Sequence, residues 1–307
     1  MKVIQAKSAG FCYGVQRAVE LAEQTARERG GCVMLGSIIH NAHVVQHLEQ
    51  LGAHQVAGPE EIRPGDTVLI RAHGEKKQVI GHLKDIGAEC VDATCPNVLR
   101  VQQIVAQADA EGRVPIIIGD PNHPEVMGVA SWSARSVVFE GAEALQRWLD
   151  EDPARRELPL TAVAQTTCIR IIWDGAAEIL KKQCTNAKIF DTICNATHKR
   201  QSEAAELASQ VDVMVVVGDR KSANTKHLTE ICSRQCPAVY QIERAEELKR
   251  DFLTGCSVAG LTAGASTPAG IIKEVYTTMS EEIKTMEPTE ESFEEMLEKS
   301  FKTLNTG

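Results

Sequence analysis

The stretch Asp92-Ala93-Thr94-Cys95-Pro96 joins a short apolar segment to an amphipathic one. Proline is favoured at the first position of a helix, because a backbone N–H group there has no partner within the helix. Cys95 is therefore predicted to stand at a helix N-terminus, where free N–H groups and the helix dipole favour an anion. A thiolate is such an anion, so we expect this placement to lower the pKa of the Cys95 thiol.

The chain repeats this arrangement twice more. Asp191-Thr192-Ile193-Cys194 is a close copy and Gly10-Phe11-Cys12 a looser one, and a helical pattern and then an apolar strand ending in glycine follow each cysteine. The cysteines are separated by 95 − 12 = 83 and 194 − 95 = 99 residues, and the strand-ending Gly36, Gly119 and Gly218 keep the same two spacings. The chain is therefore predicted to contain three related strand–helix modules.

Short apolar strands that alternate with longer helical segments are typical of an α/β fold with parallel-rich sheets covered by helices. Ligand-bearing loops in such sheets lie beyond the carboxyl ends of the strands, so three facing modules would bring the three cysteines to one centre. We predict a trefoil-like arrangement of three pseudo-symmetric modules. The N-terminal strand is a candidate to pair with the strands of the third module. The predicted modules are 1–95, 96–193 and 194–285, followed by an acidic tail or linker at 286–307.

The overall composition describes an ordinary globular protein without a nucleic-acid surface. The chain is 43% hydrophobic and 24% charged, and its net charge of −9 comes with no basic stripe. No apolar run approaches the ~18 residues needed to cross a bilayer, and the N-terminal residues turn polar too soon for a signal peptide. We therefore expect a cytoplasmic protein, in which ten cysteines are more typical of thiols, metal ligands or catalytic groups than of disulfides.

Only three of the cysteines, Cys12, Cys95 and Cys194, recur at equivalent positions. Soft thiolates select iron–sulfur clusters, copper(I) or zinc. Three thiolates from distant segments fit a [4Fe–4S] cluster in which one iron lacks a protein ligand and is free to bind a substrate oxygen, whereas four cysteines would suit electron transfer. The alternatives are three buried small hydrophobes retained after duplication, and a metal site that includes Cys232 and Cys236, although no second pair supports zinc.

Polar groups that suit an anion follow the strands in all three modules. Histidines stand beyond strands in the first two modules, and hydroxyl and amide groups take their place in the third. Such donors, together with backbone N–H groups, form an oxyanion or phosphate pocket without a Walker loop. Glu125 is the only carboxylate beside these histidines, and it is either a proton donor for a leaving hydroxyl or a solvated loop residue. The loops contain His40, His73 and His123, and then the stretches 221–225 and 266–268.

At these residues the chain resembles the LytB family of 4-hydroxy-3-methylbut-2-enyl diphosphate reductases, over about residues 1–280. The family carries out the last step of the non-mevalonate isoprenoid pathway. The resemblance is specific because several separate motifs carry it. They are Gly10-Phe11-Cys12-Tyr13-Gly14-Val15, Asp92-Ala93-Thr94-Cys95-Pro96, Asn122-His123-Pro124-Glu125, Gln165-Thr166-Thr167, Asp191-Thr192-Ile193-Cys194 and Ala263-Gly264-Ala265-Ser266-Thr267-Pro268.

The resemblance implies a three-lobed fold around a central [4Fe–4S] cluster. It also implies an oxidoreductase that performs a two-electron, two-proton reductive dehydroxylation, yielding isopentenyl and dimethylallyl diphosphate. Electrons would come from ferredoxin or flavodoxin. The cluster ligands would be Cys12, Cys95 and Cys194.

The resemblance further implies which residues act on the substrate. Glu125 would relay protons and Thr166 would lie close to the substrate hydroxyl, with His123 as the third catalytic residue. One departure concerns the family's Ser-Ser-Asn stretch, which reads Ser222-Ala223-Asn224 here, so that one hydroxyl donor to the diphosphate is absent. The diphosphate would bind to His40, His73, His123, Ser222, Asn224 and Ser266.

Two alternatives to a reductase stay open at this point. An electron-transfer or sensor protein would hold a cluster without turnover, and a zinc-dependent phosphotransfer enzyme would use the same cysteines. The tail adds a further expectation. Residues 292–300 resemble the lead-in to a ribosomal-protein-type RNA-binding domain, so the chain is either cut from a longer fusion or ends in a frayed tail.

Overall fold

The computed structural model describes residues 2–286 of the chain. Within these residues, short strands alternate with longer helices. The strands are β1 (Lys2–Gln5), β2 (Cys32–Leu35), β3 (Ala53–Val56), β4 (Thr67–Ile70), β5 (Glu89–Asp92), β6 (Val114–Ile118), β7 (Val137–Phe139), β8 (Leu160–Ala164), β9 (Ala187–Ile189), β10 (Val213–Val217), β11 (Val239–Ile242) and β12 (Val258–Ala263). The helices are α1 (Tyr13–Arg29), α2 (Ala42–Gln50), α3 (Lys77–Asp85), α4 (Pro96–Ala110), α5 (Pro124–Ala130), α6 (Ala142–Glu151), α7 (Arg170–Gln183), α8 (Asn195–Ala208), α9 (Ala223–Ser233) and α10 (Ala269–Met286).

The strands of residues 2–286 form three separate sheets of four strands each. Their orders are β3-β2-β4-β5, β7-β6-β8-β9 and β11-β10-β12-β1, and the strand pairings are parallel. The order of strands is therefore equivalent in the three sheets. The α/β class and the arrangement of parallel sheets that the sequence predicts are confirmed.

One edge strand of each sheet leads to the cysteine that precedes the first helix of the next module. The strand β5 pairs with β4 and precedes Cys95, and β9 pairs with β8 and precedes Cys194. The strand β1 pairs with β12 and precedes Cys12. In the third sheet β1 therefore takes the position that β5 and β9 hold in the other two, which closes the three modules into a ring.

The third sheet shows how the sequence produces two buried faces. The strand β10 reads Val-Met-Val-Val-Val, a continuous apolar run that is typical of a parallel strand covered on both sides. Because side chains alternate along a strand, Val215 packs with Leu261 and Ile272 on one face, and Met214 packs with Ala204 on the other. The helix α10 therefore covers one side of the sheet and α8 covers the other.

Three expectations concern the limits of the modules and the chain. The boundaries at 1–95, 96–193 and 194–285 stay a prediction. The acidic tail expected at 286–307, and the resemblance at 292–300, lie outside the described residues except for the last helical residue. Among residues 2–286, none of the helices combines the length and the apolar character that a bilayer span requires.

Substitution of Leu261 by alanine tests the junction between β1 and the third sheet. Leu261 is fully buried in β12, which pairs with β1 and β10, and its truncation removes packed methyl groups and leaves a cavity. We expect Leu261→Ala to lower the free energy of unfolding by about 2–5 kcal/mol in a denaturant titration. Leu158→Ala is the control, because Leu158 is 36% exposed and its loss should cost about 0.5 kcal/mol. Equal losses in the two variants would contradict a buried junction.

Candidate active site

Each cysteine of the repeated motif immediately precedes a helix. Cys12, Cys95 and Cys194 are the N-cap residues of α1, α4 and α8, and Pro96 is the first residue of α4. Each thiol therefore stands at the positive end of a helix dipole. The cysteine N–H groups donate to carbonyl oxygens just beyond the central strands β12, β4 and β8, on Ala265 at 3.3 Å, Ala72 at 2.9 Å and Thr166 at 3.0 Å.

The modules bring the three thiols to one cavity. Cys12, Cys95 and Cys194 all line it, and Asn97 Nδ2 of the second module donates to Cys194 Sγ at 3.1 Å. Gly14 permits the close approach of α1, because a Cβ atom at this position would lie 2.5 Å from Cys95 Sγ. We call the three cysteines the thiol cluster.

Burial opposes ionisation of the Cys95 thiol. It raises the pKa of Cys95, and negative charge on Cys12 or Cys194 raises it further, whereas the N–H groups of Asn97 and Val98 lower it. The expectation that the helix N-terminus lowers the pKa of Cys95 is therefore wrong, because the cost of desolvating a thiolate exceeds the benefit of two N–H groups. A bound metal centre would supply the positive charge that three adjoining thiolates require.

The thiol cluster fits a polynuclear iron–sulfur centre better than a single metal ion. Zinc would hold sulfur atoms about 3.8 Å apart, given Zn–S bonds of about 2.3 Å. Within the described residues, the group of three ligand atoms close enough to hold a single metal ion belongs to three histidines and not to these cysteines. No fourth cysteine of the described chain lines the cavity. This donor set suits a [4Fe–4S] cluster that has one iron without a protein ligand.

Three histidines from the first two modules form a second group in the same cavity. The ring centroids of His40 and His73 are 4.6 Å apart, and that of His123 lies 5.3 Å from His73. Burial lowers the pKa of all three, to about 4 for His123, so the rings are neutral near pH 7. His40 Nε2 and His73 Nδ1 are buried without a hydrogen-bond partner. We call these residues the histidine triad.

The third module contributes uncharged polar groups to the cavity. Ser222 is the N-cap residue of α9, and its hydroxyl accepts a bond from the N–H group of Thr225 at 3.4 Å. Asn224 Nδ2 and Ser266 Oγ are buried and have no partner. Because buried polar atoms are normally hydrogen-bonded, these groups indicate a polar ligand. Amide and hydroxyl donors favour an anion over the metal ion that the spacing of the histidine triad alone would also suit.

Glu125 is buried beside Thr166, although Glu125 lies in the first turn of α5 and Thr166 in the loop after β8. The N–H and Oγ1–H groups of Thr166 donate to the two carboxyl oxygens at 2.6 and 2.8 Å. Glu125 is only 2% exposed, and burial raises its pKa to about 7 although both hydrogen bonds lower it. Its own N–H group donates to His123 Nδ1 at 3.1 Å, so a neutral His123 carries its proton on Nε2. Glu125 can therefore exchange a proton near neutral pH.

The cavity collects every site residue that the sequence singles out. It also contains Thr167, which the sequence indicates only as part of a motif, and Arg200, which the sequence does not single out. Arg200 shares a buried helical face with Thr197 and Ala204, and a charged residue on such a face is a signal that could have identified it. The predicted residues that line the cavity are Cys12, His40, His73, Cys95, His123, Glu125, Thr166, Cys194, Ser222, Asn224 and Ser266.

Known proteins with similar sequences share one name. The chain matches the family described as LytB protein over residues 3–280. It is 39% identical over 297 residues to the 4-hydroxy-3-methylbut-2-enyl diphosphate reductase of Caldanaerobacter subterraneus, covering 95% of this chain and 100% of that one. The protein of the same name from a Nitratiruptor species is 38% identical over 276 residues, covering 90% of this chain and 97% of that one.

Two solved structures share the fold. One is the structure of (E)-4-hydroxy-3-methyl-but-2-enyl diphosphate reductase, the terminal enzyme of the non-mevalonate pathway, with 37% identity, a TM-score of 0.65 and coverage of 92% of this chain and 100% of that one. The other is the E-1-hydroxy-2-methyl-but-2-enyl-4-diphosphate reductase from Plasmodium falciparum, with 26% identity, a TM-score of 0.85 and coverage of 90% and 87%. With the match over residues 3–280, these likenesses show that the chain belongs to the LytB family.

Proposed function

We propose that this chain is a [4Fe–4S]-dependent reductase of the non-mevalonate isoprenoid pathway. The substrate is 4-hydroxy-3-methylbut-2-enyl diphosphate, which takes up two electrons and two protons and loses its hydroxyl group as water, giving isopentenyl or dimethylallyl diphosphate. The observation that carries the proposal is a single cavity lined by the thiol cluster, the histidine triad and a protonatable carboxylate. Membership of the LytB family and the names of the relatives support it.

The thiol cluster would hold the iron–sulfur group through Cys12, Cys95 and Cys194. When bound, this group supplies electrons and an iron with an open position that can act as a Lewis acid. The contribution of the chain is to stabilise negative charge at the sulfur atoms. The helix N-termini stabilise this charge through their dipoles. The Asn97 amide also stabilises it, because it donates to Cys194 Sγ at 3.1 Å.

The histidine triad and the donors of the third module would bind the diphosphate. Burial keeps the histidines neutral in the free protein, and the negative charge of a bound diphosphate would raise their pKa. Substrate binding is then coupled to proton uptake, which turns the triad into charged donors only when the anion is present. The proposed binding residues are His40, His73, His123, Ser222, Asn224 and Ser266.

Glu125 and Thr166 would deliver a proton to the departing hydroxyl group. A protonated Glu125 can donate to Thr166 Oγ1, which lies 2.8 Å from its Oε2 atom, and the Thr166 hydroxyl is then free to donate to an oxygen in the cavity. The carboxylate that remains is stabilised by the N–H group of Thr166. Because the pKa of Glu125 is about 7, the acid is available near neutral pH. His123, which is fixed by the Glu125 N–H group, orients its Nε2–H group toward an anion as the third catalytic residue.

An electron-transfer or sensor protein is the weaker hypothesis. Such a protein needs a complete ligand set for its cluster and has no use for an anion pocket, whereas this cavity combines three thiols with unpartnered imidazole, amide and hydroxyl groups. The proposed reaction needs a one-electron carrier, for which we propose ferredoxin or flavodoxin. The cytoplasmic location stays a prediction.

An anaerobic iron and sulfide assay with an absorption spectrum tests the proposed function. We expect a brown protein with about four irons per chain, whose spectrum shifts when the substrate diphosphate is added. Cys194→Ser should lose most of the iron, whereas Cys90→Ser, the same change in β5 outside the cavity, should keep it. A native protein that stays colourless after anaerobic reconstitution would remove the proposed chemistry and leave the fold unaffected.

Substitution of Glu125 by glutamine tests the proton donor. We expect Glu125→Gln to bind substrate while its turnover falls about 10²-fold or more, the usual contribution of a general acid. The native rate should decline as the pH rises through about 7, because the acid is then lost by ionisation, and this decline should be absent from the residual rate of the variant. Thr166→Val removes the hydroxyl group that passes the proton on, so turnover should fall in this variant as well although Glu125 is intact. Full turnover in Glu125→Gln would exclude the relay.

Substitution of Ala223 by serine tests the missing hydroxyl donor. Ala223 lines the cavity as the first residue of α9, so a serine there can add a hydrogen bond to the diphosphate. A neutral hydrogen bond is worth about 1 kcal/mol, so we expect KM to fall about fivefold. Ala269→Ser makes the same change at the first position of α10, outside the cavity, and should leave KM unchanged. An unchanged KM in Ala223→Ser would refute the idea.

A further inference from the structure

Arg200 is a buried cation without a carboxylate partner within the described residues. Its side chain is 3% exposed, and its Nη1 atom is buried without a hydrogen-bond partner. A guanidinium group stays charged at any ordinary pH, and a buried charge is costly unless an opposite charge offsets it. The position of Arg200 in the fold therefore requires a negative group that no carboxylate of the described residues supplies through an ion pair.

The hydrogen bonds of Arg200 tie it to the thiol cluster. Its Nε atom donates to Ser8 O at 2.9 Å and its Nη2 atom donates to Gly10 O at 2.7 Å, both in the loop that precedes Cys12. Arg200 itself lies in α8, the helix that begins after Cys194. Both acceptors are neutral carbonyl groups, so they satisfy two donors without balancing the charge.

The carboxylate whose charge acts on Arg200 is held by other groups. Glu203 accepts bonds from the N–H groups of Lys7 at 2.7 Å and Ser8 at 2.8 Å. It acts on Arg200 only at a distance, as does negative charge on Cys12 and Cys194. Because Arg200 lines the same cavity as the two cysteines, the negative group that completes its environment belongs to that cavity.

We propose that Arg200 is the buried counter-charge of the iron–sulfur site, an inference that rests on the proposed function. Three thiolates and a [4Fe–4S] core carry a net negative charge, and one-electron reduction by a ferredoxin-class carrier adds one more without making or breaking a bond. A positive charge in a buried site stabilises the reduced state more than the oxidised state. Arg200 therefore raises the reduction potential of the site in addition to holding the loop before Cys12.

A redox titration of reconstituted variants, followed by absorption, tests this role after iron and sulfide have been counted. We expect Arg200→Gln to shift the potential to a more negative value. Lys199→Gln is the matched control, because it removes the same charge from the adjacent residue of α8, where the side chain is exposed and solvent screens it. Arg200→Lys keeps the charge but cannot bond to both carbonyl groups, so its potential should stay close to the native value.

A second substitution, which should shift the reduction potential in the opposite direction, tests the inference if Arg200→Gln does not fold. Glu203→Gln removes a carboxylate whose negative charge acts on Arg200 and should raise the potential. Equal potentials in the native protein, Arg200→Gln and Glu203→Gln, all with full iron, would overturn the inference and leave the proposed function intact. If Arg200 only held the loop before Cys12 in place, Arg200→Gln and Arg200→Lys would lose stability equally and both would keep the native potential, a result that also contradicts the inference. A native protein that binds no iron would overturn the inference and the proposed function together.

Discussion

The cavity depends on the parallel pairing of the three strands that bridge neighbouring modules. The strands β1, β5 and β9 each pair at the edge of one sheet. Each is followed by the cysteine that precedes the first helix of the next module. A slip of one residue would turn every side chain to the other face and move a cysteine by about 3.3 Å. Metal ligands tolerate errors of only about 0.2 Å, so the register of the sheets fixes the geometry of the thiol cluster. The hydrogen bonds from the cysteine N–H groups to the loops beyond the central strands also hold each cysteine in place.

Thr166 joins the two chemical halves of the cavity. Its carbonyl oxygen accepts the N–H group of Cys194 at 3.0 Å, and its N–H and hydroxyl groups hold Glu125. A shift of this one loop would move the proposed cluster ligand Cys194 and the proposed proton donor Glu125 together. The same cavity keeps polar atoms of His40, Asn224 and others buried without partners. Such groups cost stability in the free protein and are the usual price of a site that is organised before its ligand arrives.

Much of the fold and the site could be predicted from local sequence, because the repeated cysteine motifs and glycine-ended strands encode both. The start of the helix after Cys95 can be predicted from Pro96, and the apolar run of β10 is sufficient to predict a buried parallel strand. The features that could not be predicted depend on contacts between distant segments. The pKa of Glu125 is set by burial and by a threonine 41 residues away, and burial reverses the expected shift at Cys95. Arg200 could not be singled out by a motif, because its proposed role follows from a buried charge without an ion-pair partner, and this is visible only in the folded structure.

The closure of the ring by β1 also sets an order of events during biosynthesis. Lys2 pairs opposite Val258, so β1 has no sheet to join until residue 258 has been made and has left the ribosome. At typical rates of translation this delay is on the order of 10 s or more. Contacts so distant in sequence also form slowly in the free chain. Because β1 positions the segment that carries Cys12, the proposed iron–sulfur cluster would be inserted only after this pairing has formed, and the thiols would have to stay reduced until then.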